Sequence, residues 1–125
     1  MLEQLFGSKT RVKLLRLFLN NPSHPFYLRQ LARKLKSQLN SMRREVNNLE
    51  KIGIIKTIEL DKSELSKEML VEVKKDKGGA KKYFITNIDN VLYHEIKALM
   101  LKAELLLEAN FIGKIEKLAK PRLLV

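Results

Sequence analysis

The most constraining feature of this chain is the stretch from 26 to 55, where two short amphipathic segments flank a polar turn and lead into a β-branched run. The first segment repeats apolar residues at helical spacing: Leu28, Leu31, Ala32 and Leu35. Lys36-Ser37-Gln38 interrupts it. A second stripe, Met42, Val46 and Leu49, stops at Gly53, the residue type that most readily ends a helix in the left-handed conformation. The pattern predicts two helices joined by a tight turn, with a strand directly after them.

The second helix, expected at about 39–51, turns a polar face outward. Its members are Gln38, Asn40, Ser41, Arg43, Arg44 and Asn47. Arginine can bond to the O6 and N7 of guanine or hold a phosphate, and asparagine can pair with the N6 and N7 of adenine. The first helix and the turn offer a second set suited to the DNA backbone: Arg29, Arg33, Lys34 and Ser37. The alternative is a solvated helix face with surface ion pairs to Glu45 and Glu50.

The charge is concentrated around this motif. The 125-residue chain has a net charge of +11. Residues 1–56 carry 12 Lys/Arg against 3 Asp/Glu, residues 57–90 carry 7 of each, and residues 91–125 carry 6 against 4. Excess positive charge beside a helical reading motif favours a nucleic-acid partner over an ordinary basic surface.

Several other classes of protein fit the sequence poorly. The chain has no cysteine, which excludes disulfides and thiolate metal sites, and its two histidines, His24 and His94, lack metal-ligand spacing. We therefore expect no metal site and no cofactor. No Ser/His/acid set or carboxylate pair suggests catalysis, so we expect no enzyme. Without a signal peptide or a long apolar run, we expect a cytoplasmic protein with no membrane partner.

The flanking elements complete a small α+β domain. Ser8 is expected to cap a helix from Lys9 to about Asn20, with Val12, Leu15, Phe18 and Leu19 buried. Phe26-Tyr27 could form a very short strand. Segments 54–60 and 80–86 are predicted to form an enlarged β-hairpin, with a third strand if the alternating segment 69–75 also extends. Its basic tip would contain Lys74, Lys75, Lys77, Lys81 and Lys82.

A long C-terminal helix is predicted from about 90 to 119, with a break near Asn110 or Gly113. Apolar residues repeat along it at alternating spacings of four and three: Leu92, Ile96, Leu99, Ala103 and Leu106. This seam predicts helix–helix pairing between two copies of the chain. The alternative is that the apolar excess at 92–112 contacts a further domain.

The motifs LARKL, MRREVNNLEKIG and KKYF, in this order with a long helix after them, resemble winged helix-turn-helix regulators of the ArsR-like type over about residues 5–108. The resemblance implies a three-helix core, a β-hairpin wing and a C-terminal dimerisation helix. It also implies a homodimeric transcriptional regulator that places the helix from about Leu39 to Lys51 in successive major grooves of double-stranded DNA. The chain departs from this pattern by lacking the thiolate pairs of metal-sensing members and by its longer hairpin.

These features divide the chain into a winged helix-turn-helix domain at 1–88, a dimerisation region at 89–119 and an apolar tail at 120–125. The tail is similar to the start of a buried strand in longer winged-helix proteins that continue into a nucleotidyltransferase-like domain. Two other functions stay open on the sequence: a winged-helix module that binds a protein partner, or the regulatory N-terminal domain of a nucleotidyltransferase-like protein.

Overall fold

A computed structural model describes residues 2–77 and 79–107. This part of the chain forms six α-helices, a short 3-10 helix at Lys62–Glu64 and a two-stranded antiparallel sheet. The helices are α1 Leu2–Phe6, α2 Lys9–Asn20, α3 Leu28–Lys34, α4 Leu39–Lys51, α5 Lys67–Lys74 and α6 Tyr93–Leu107, and the strands are β1 Ile55–Glu59 and β2 Lys82–Thr86. The α+β class is confirmed, and the arrangement is consistent with a winged helix. The predictions for residues 108–125 lie outside the described residues.

The core forms where α2, α3 and α4 pack together. The Ser8 side chain accepts a hydrogen bond from the Arg11 amide and so caps α2 as predicted. The buried stripes of these helices meet in one apolar cluster, with the side chains 0–1% exposed; they are Val12, Leu14, Leu15, Phe18, Leu19, Leu31, Met42, Val46 and Leu49. The predicted helical spacing therefore gives the core, and Leu14 adds a buried residue that the prediction left out.

The end of α4 is fixed by glycine and by two asparagines. Gly53 has a φ of +80° and its amide donates to the Glu50 carbonyl, which stops the helix and starts β1 two residues later. The side-chain amides of Asn87 and Asn90 donate to the Gly53 carbonyl at 3.0 and 2.9 Å. A Cβ at Gly53 would lie 3.1 Å from the Asn90 amide nitrogen. The loop after β2 therefore holds the junction between the helix and the sheet.

The sheet attaches the wing to the helices. β1 and β2 pair from Ile55 opposite Thr86 to Glu59 opposite Lys82. On the other edge of β2, Phe26 and Phe84 exchange backbone hydrogen bonds. This is an isolated bridge at Phe26 rather than the short strand expected at Phe26-Tyr27. The Thr86 hydroxyl donates to the Phe18 carbonyl at 2.7 Å. The β2 strand is thus tied to both α2 and the entry to α3.

The third strand expected at 69–75 is wrong. This segment is the helix α5, capped by the Ser66 side chain, which accepts from the Met69 amide. The alternation of MLVEVKK looked extended, but Met69 and Val73 also stand one helical turn apart, and both are buried against Tyr27 and Tyr83. Packing onto these tyrosines favours the helix. The wing therefore contains a helical insertion, 60–81, between its two strands.

The seam predicted on the C-terminal helix is only partly available to a partner. Ala103 is 3% exposed in the main core, and Ile96 packs against the same cluster. Tyr93 and Met100 lie on the same side of α6, because they stand three or four residues from Ile96 and Ala103, and both are buried in the core. An ion pair of 2.6 Å between Arg16 and Glu104 links α6 to α2. Ala103 and Ile96 therefore belong to the fold of a single chain.

The remaining seam residues are more open. Leu92, which precedes α6, is 56% exposed, Leu99 is 39% exposed, and Leu106 is half-buried. Leu101 and Leu105 expose apolar surface on another side of α6. Among the described residues, no helix is long and apolar enough to cross a membrane.

Candidate nucleic-acid interface

The outward face of α4 is polar and accessible. Gln38, Asn40, Arg43, Arg44 and Asn47 are all exposed, and Ser41 is half-buried. Gln38 occupies the N-cap position without bonding its side chain to the helix backbone. Arg43 donates to the Asn40 side-chain oxygen at 3.3 Å, a long bond between exposed groups. The face is therefore held by α4 while its functional groups remain accessible.

The acids of α4 do not neutralise its arginines. Glu45 forms an ion pair with Arg11 on α2 at 2.9 Å. Glu50 accepts a hydrogen bond from the Thr57 hydroxyl on β1. Both carboxylates are thus bound to other elements, which argues against the alternative in which they pair with Arg43 and Arg44. The positive charge of this face stays directed to the outside.

A cleft of about 210 Å³ runs between α3, α4 and the wing. Arg29 comes from α3, Arg43 from α4, and Lys81 and Lys82 from the returning segment of the wing. These four cationic side chains are exposed, and the rest of the lining consists of Tyr27, Leu28, Leu39, Gly79 and Ala80. Residues that the sequence placed in three separate groups therefore lie around one cationic cleft beside the outward face of α4.

Arg33, expected on the DNA backbone, is bound within the chain. Its guanidinium forms ion pairs with Glu72 at 2.7 Å and Asp76 at 3.2 Å, and it donates to the Tyr27 hydroxyl at 3.0 Å. That hydroxyl also lies 2.6 Å from an Asp76 carboxylate oxygen and 2.8 Å from the Glu72 carbonyl. We call Tyr27, Arg33, Glu72 and Asp76 the anchor, because they join α3 to the end of α5.

The ionisation of the anchor follows from these contacts. Burial would raise the pKa of Asp76, but hydrogen bonds from Arg33 and Tyr27 outweigh it and hold that pKa below its usual value. Hydrogen bonds from Arg33 and then Lys75 lower the pKa of Glu72. Burial, together with the hydrogen bond to Asp76, raises the pKa of Tyr27 to about 12. Both carboxylates are therefore charged and Tyr27 is neutral at neutral pH.

The other residues of the predicted interface are dispersed. Lys74 ends α5, and Lys75 just after it donates to Glu72 at 3.1 Å. Neither lysine lines the cationic cleft. Lys77 and Lys34 are exposed, and the Ser37 hydroxyl donates back to the Leu35 carbonyl inside the turn. Among described residues, no cluster of three or more His, Asp or Glu could hold a metal ion.

The anchor is the feature that sequence reasoning missed. Glu72 and Asp76 stand 39 and 43 positions after Arg33, within a segment that looked like a strand and a turn. Their spacing of four is a helical signal, since residues four apart share a helix face. That signal would have required α5 to be recognised first.

Comparison with known proteins finds a solved structure with a similar fold. No protein-family model matches the chain. No curated protein matches it either. The solved structure of a possible transcriptional regulator from Methanosarcina mazei Go1 is similar, with 17% sequence identity and a TM-score of 0.50 over 77% of this chain and 68% of that chain. At this identity the likeness is one of fold.

Proposed function

We propose that this chain binds double-stranded DNA with sequence preference and acts as a homodimeric transcriptional regulator. The observation that carries the proposal is the cationic cleft, where Arg29, Arg43, Lys81 and Lys82 from three elements lie beside the outward face of α4. A regulator of this shape would place α4 in the major groove and direct the cleft and the wing to the backbone or the minor groove.

The chemistry of each surface suits its role. Arg43, Arg44, Asn40 and Asn47 can read base edges, each good pair contributing about 1–3 kcal/mol of discrimination. The cations of the cleft would neutralise phosphates and supply most of the affinity. The N-terminus of α4, without a side-chain cap from Gln38, offers backbone amides to a further phosphate. That the structural neighbour is described as a possible transcriptional regulator agrees with this role.

Dimerisation is proposed through the part of α6 that its own domain leaves open. Leu99 and Leu92, with Leu106 beside them, would pair with the same residues of a second copy. A symmetric dimer would then present two α4 helices to half-sites one helical turn, about 34 Å, apart.

The proposal is tested by selecting duplexes from a random-sequence pool with the purified chain and measuring their affinities by fluorescence anisotropy. Enrichment of a two-fold symmetric site, bound better than single-stranded DNA and unselected duplex, is the expected result. The control is Arg43→Ala/Arg44→Ala, which should lose the site preference while keeping its melting temperature, since both side chains are exposed. Absence of duplex binding at low salt would refute the proposal and favour a protein partner.

A further inference from the structure

The anchor lies at the base of the wing segment that lines the cationic cleft. Asp76 binds α3 through its side chain, and its backbone carbonyl accepts a hydrogen bond from the Gly79 amide at 3.2 Å. Gly79 is the first residue of the run Gly79–Lys82 that forms one wall of the cleft. The same aspartate therefore connects α3 with the beginning of that wall.

The anchor is supported from both sides. Beneath it, Tyr27 and Tyr83 meet edge to face with ring centroids 6.0 Å apart, and Met69 and Val73 of α5 cover them. Beyond it, the Lys81 carbonyl accepts from the Leu60 amide at 3.2 Å, which aligns the returning strand. The insertion is therefore attached to α3 at one end and to the sheet at the other. Gly79 and Ala80 lie between these attachments, and Lys81 and Lys82 lie where the chain enters β2.

We propose that Glu72 and Asp76 are positioning residues for DNA binding: by holding the insertion against α3, they keep Lys81 and Lys82 across the cleft from Arg29 and Arg43. This inference rests on the proposed function. It assigns two acidic residues, which DNA would repel, a favourable part in binding DNA. Their own charge is offset locally by Arg33, with which both form ion pairs.

The inference predicts that neutralising Asp76 weakens DNA binding, whereas an argument from net charge alone predicts that it strengthens binding. Neutralising an acid near a DNA-binding surface should strengthen binding if only net charge matters. If position matters, Asp76→Asn should weaken binding because the two lysines lose their alignment. Each phosphate contact contributes about eightfold to affinity at 0.1 M salt, so complete loss of both lowers affinity by about 60-fold. Loss of only one of the two contacts should still lower it by about eightfold.

The test measures affinity for the selected duplex across salt for Asp76→Asn and Glu72→Gln. The matched control is Glu68→Gln, which removes the same charge from an exposed position of α5 outside the anchor. We expect the anchor variants to bind more weakly, with a slope of log affinity against log salt that is shallower by about 1–2. We expect no weakening in the control. Equal or tighter binding, or weaker binding with an unchanged slope, would overturn the inference.

A second variant covers the case in which Asp76→Asn does not fold. Tyr27→Phe keeps the ring in its apolar cluster and every charge in place, but removes the hydroxyl that contacts the other three anchor residues. Like Asp76→Asn, Tyr27→Phe should make the salt dependence of DNA binding shallower. An unchanged salt dependence would count against the inference. Failure of the unmodified chain to bind duplex would overturn the proposed function as well, whereas normal binding with unaffected variants overturns the inference alone.

Discussion

Replacing both Lys81 and Lys82 with alanine should reduce the salt dependence of DNA binding by a predictable amount. Each cation that neutralises a phosphate contributes about −0.9 to the slope of log affinity against log salt. If all four cations of the cleft, including Arg29 and Arg43, contact phosphates, their joint contribution is about −3.6 per protomer. Removing the two lysines should leave about −1.8.

The difference is large enough to measure. Counted for one protomer between 50 and 200 mM salt, a slope of about −3.6 lowers affinity about 150-fold, whereas about −1.8 lowers it only about 12-fold; a bound dimer doubles both slopes. Fluorescence anisotropy with a labelled duplex gives both values directly. Stability should be nearly unchanged, because Lys81 and Lys82 are exposed.

The matched control replaces Lys13 and Lys102, two exposed lysines on α2 and α6 that do not line the cationic cleft. This variant has the same net charge as Lys81→Ala/Lys82→Ala. Its slope should stay close to that of the unmodified chain. Equal changes of slope in the two double variants would refute the assignment of the cleft, because overall charge would then explain the binding.

Three further predictions concern stability and assembly. Gly53→Ala should lower the free energy of unfolding in urea by about 2 kcal/mol, and Gly7→Ala should lower it by about 1 kcal/mol. Both glycines have a positive φ, but only at Gly53 would the new Cβ meet another side chain. Equal losses would contradict the tight junction after α4. Because the folded-state pKa of Asp76 lies below its usual 3.8, the anchor stabilises fully above about pH 5 and loses this stabilisation as pH falls through the folded-state pKa. Thermal melts should show a shallower acid destabilisation for Asp76→Asn, and parallel curves would count against an ionised anchor. Leu99→Glu should yield a folded monomer in sedimentation, whereas Ala103→Glu, which buries a charge, should unfold the chain; an unmodified chain that sediments as a monomer would contradict the proposed dimer.

Local sequence patterns predicted the helices α2, α3 and α4 well, but not α1 or α5. The stripes of α2, α3 and α4 follow the helical period, and Ser8 and Gly53 mark a beginning and an end. These signals lie within a few positions of each other in the chain, so they can be seen without knowing the tertiary structure. The polar face of α4 was visible for the same reason, as the complement of its buried stripe.

The elements that were missed depend on contacts between distant residues. The segment 69–75 is compatible with a strand by alternation and with a helix by spacing, and burial of Met69 and Val73 against Tyr27 and Tyr83 selects the helix. Likewise, the seam on α6 looked like a partner surface until Ala103 was found in the core. A single sequence shows which residues are apolar but not which apolar surface covers them.

The most direct test of the central claim is a titration of the isotope-labelled chain with the selected duplex, followed by amide chemical shifts in NMR spectra. If α4 and the cationic cleft bind DNA, the largest shifts should fall on residues 38–47 and 79–82, with Arg29 beside them. The exposed face of α6 should change little. Shifts concentrated on α6 or on α5 away from the anchor, with α4 unaffected, would contradict the account and place the interface elsewhere on the molecule.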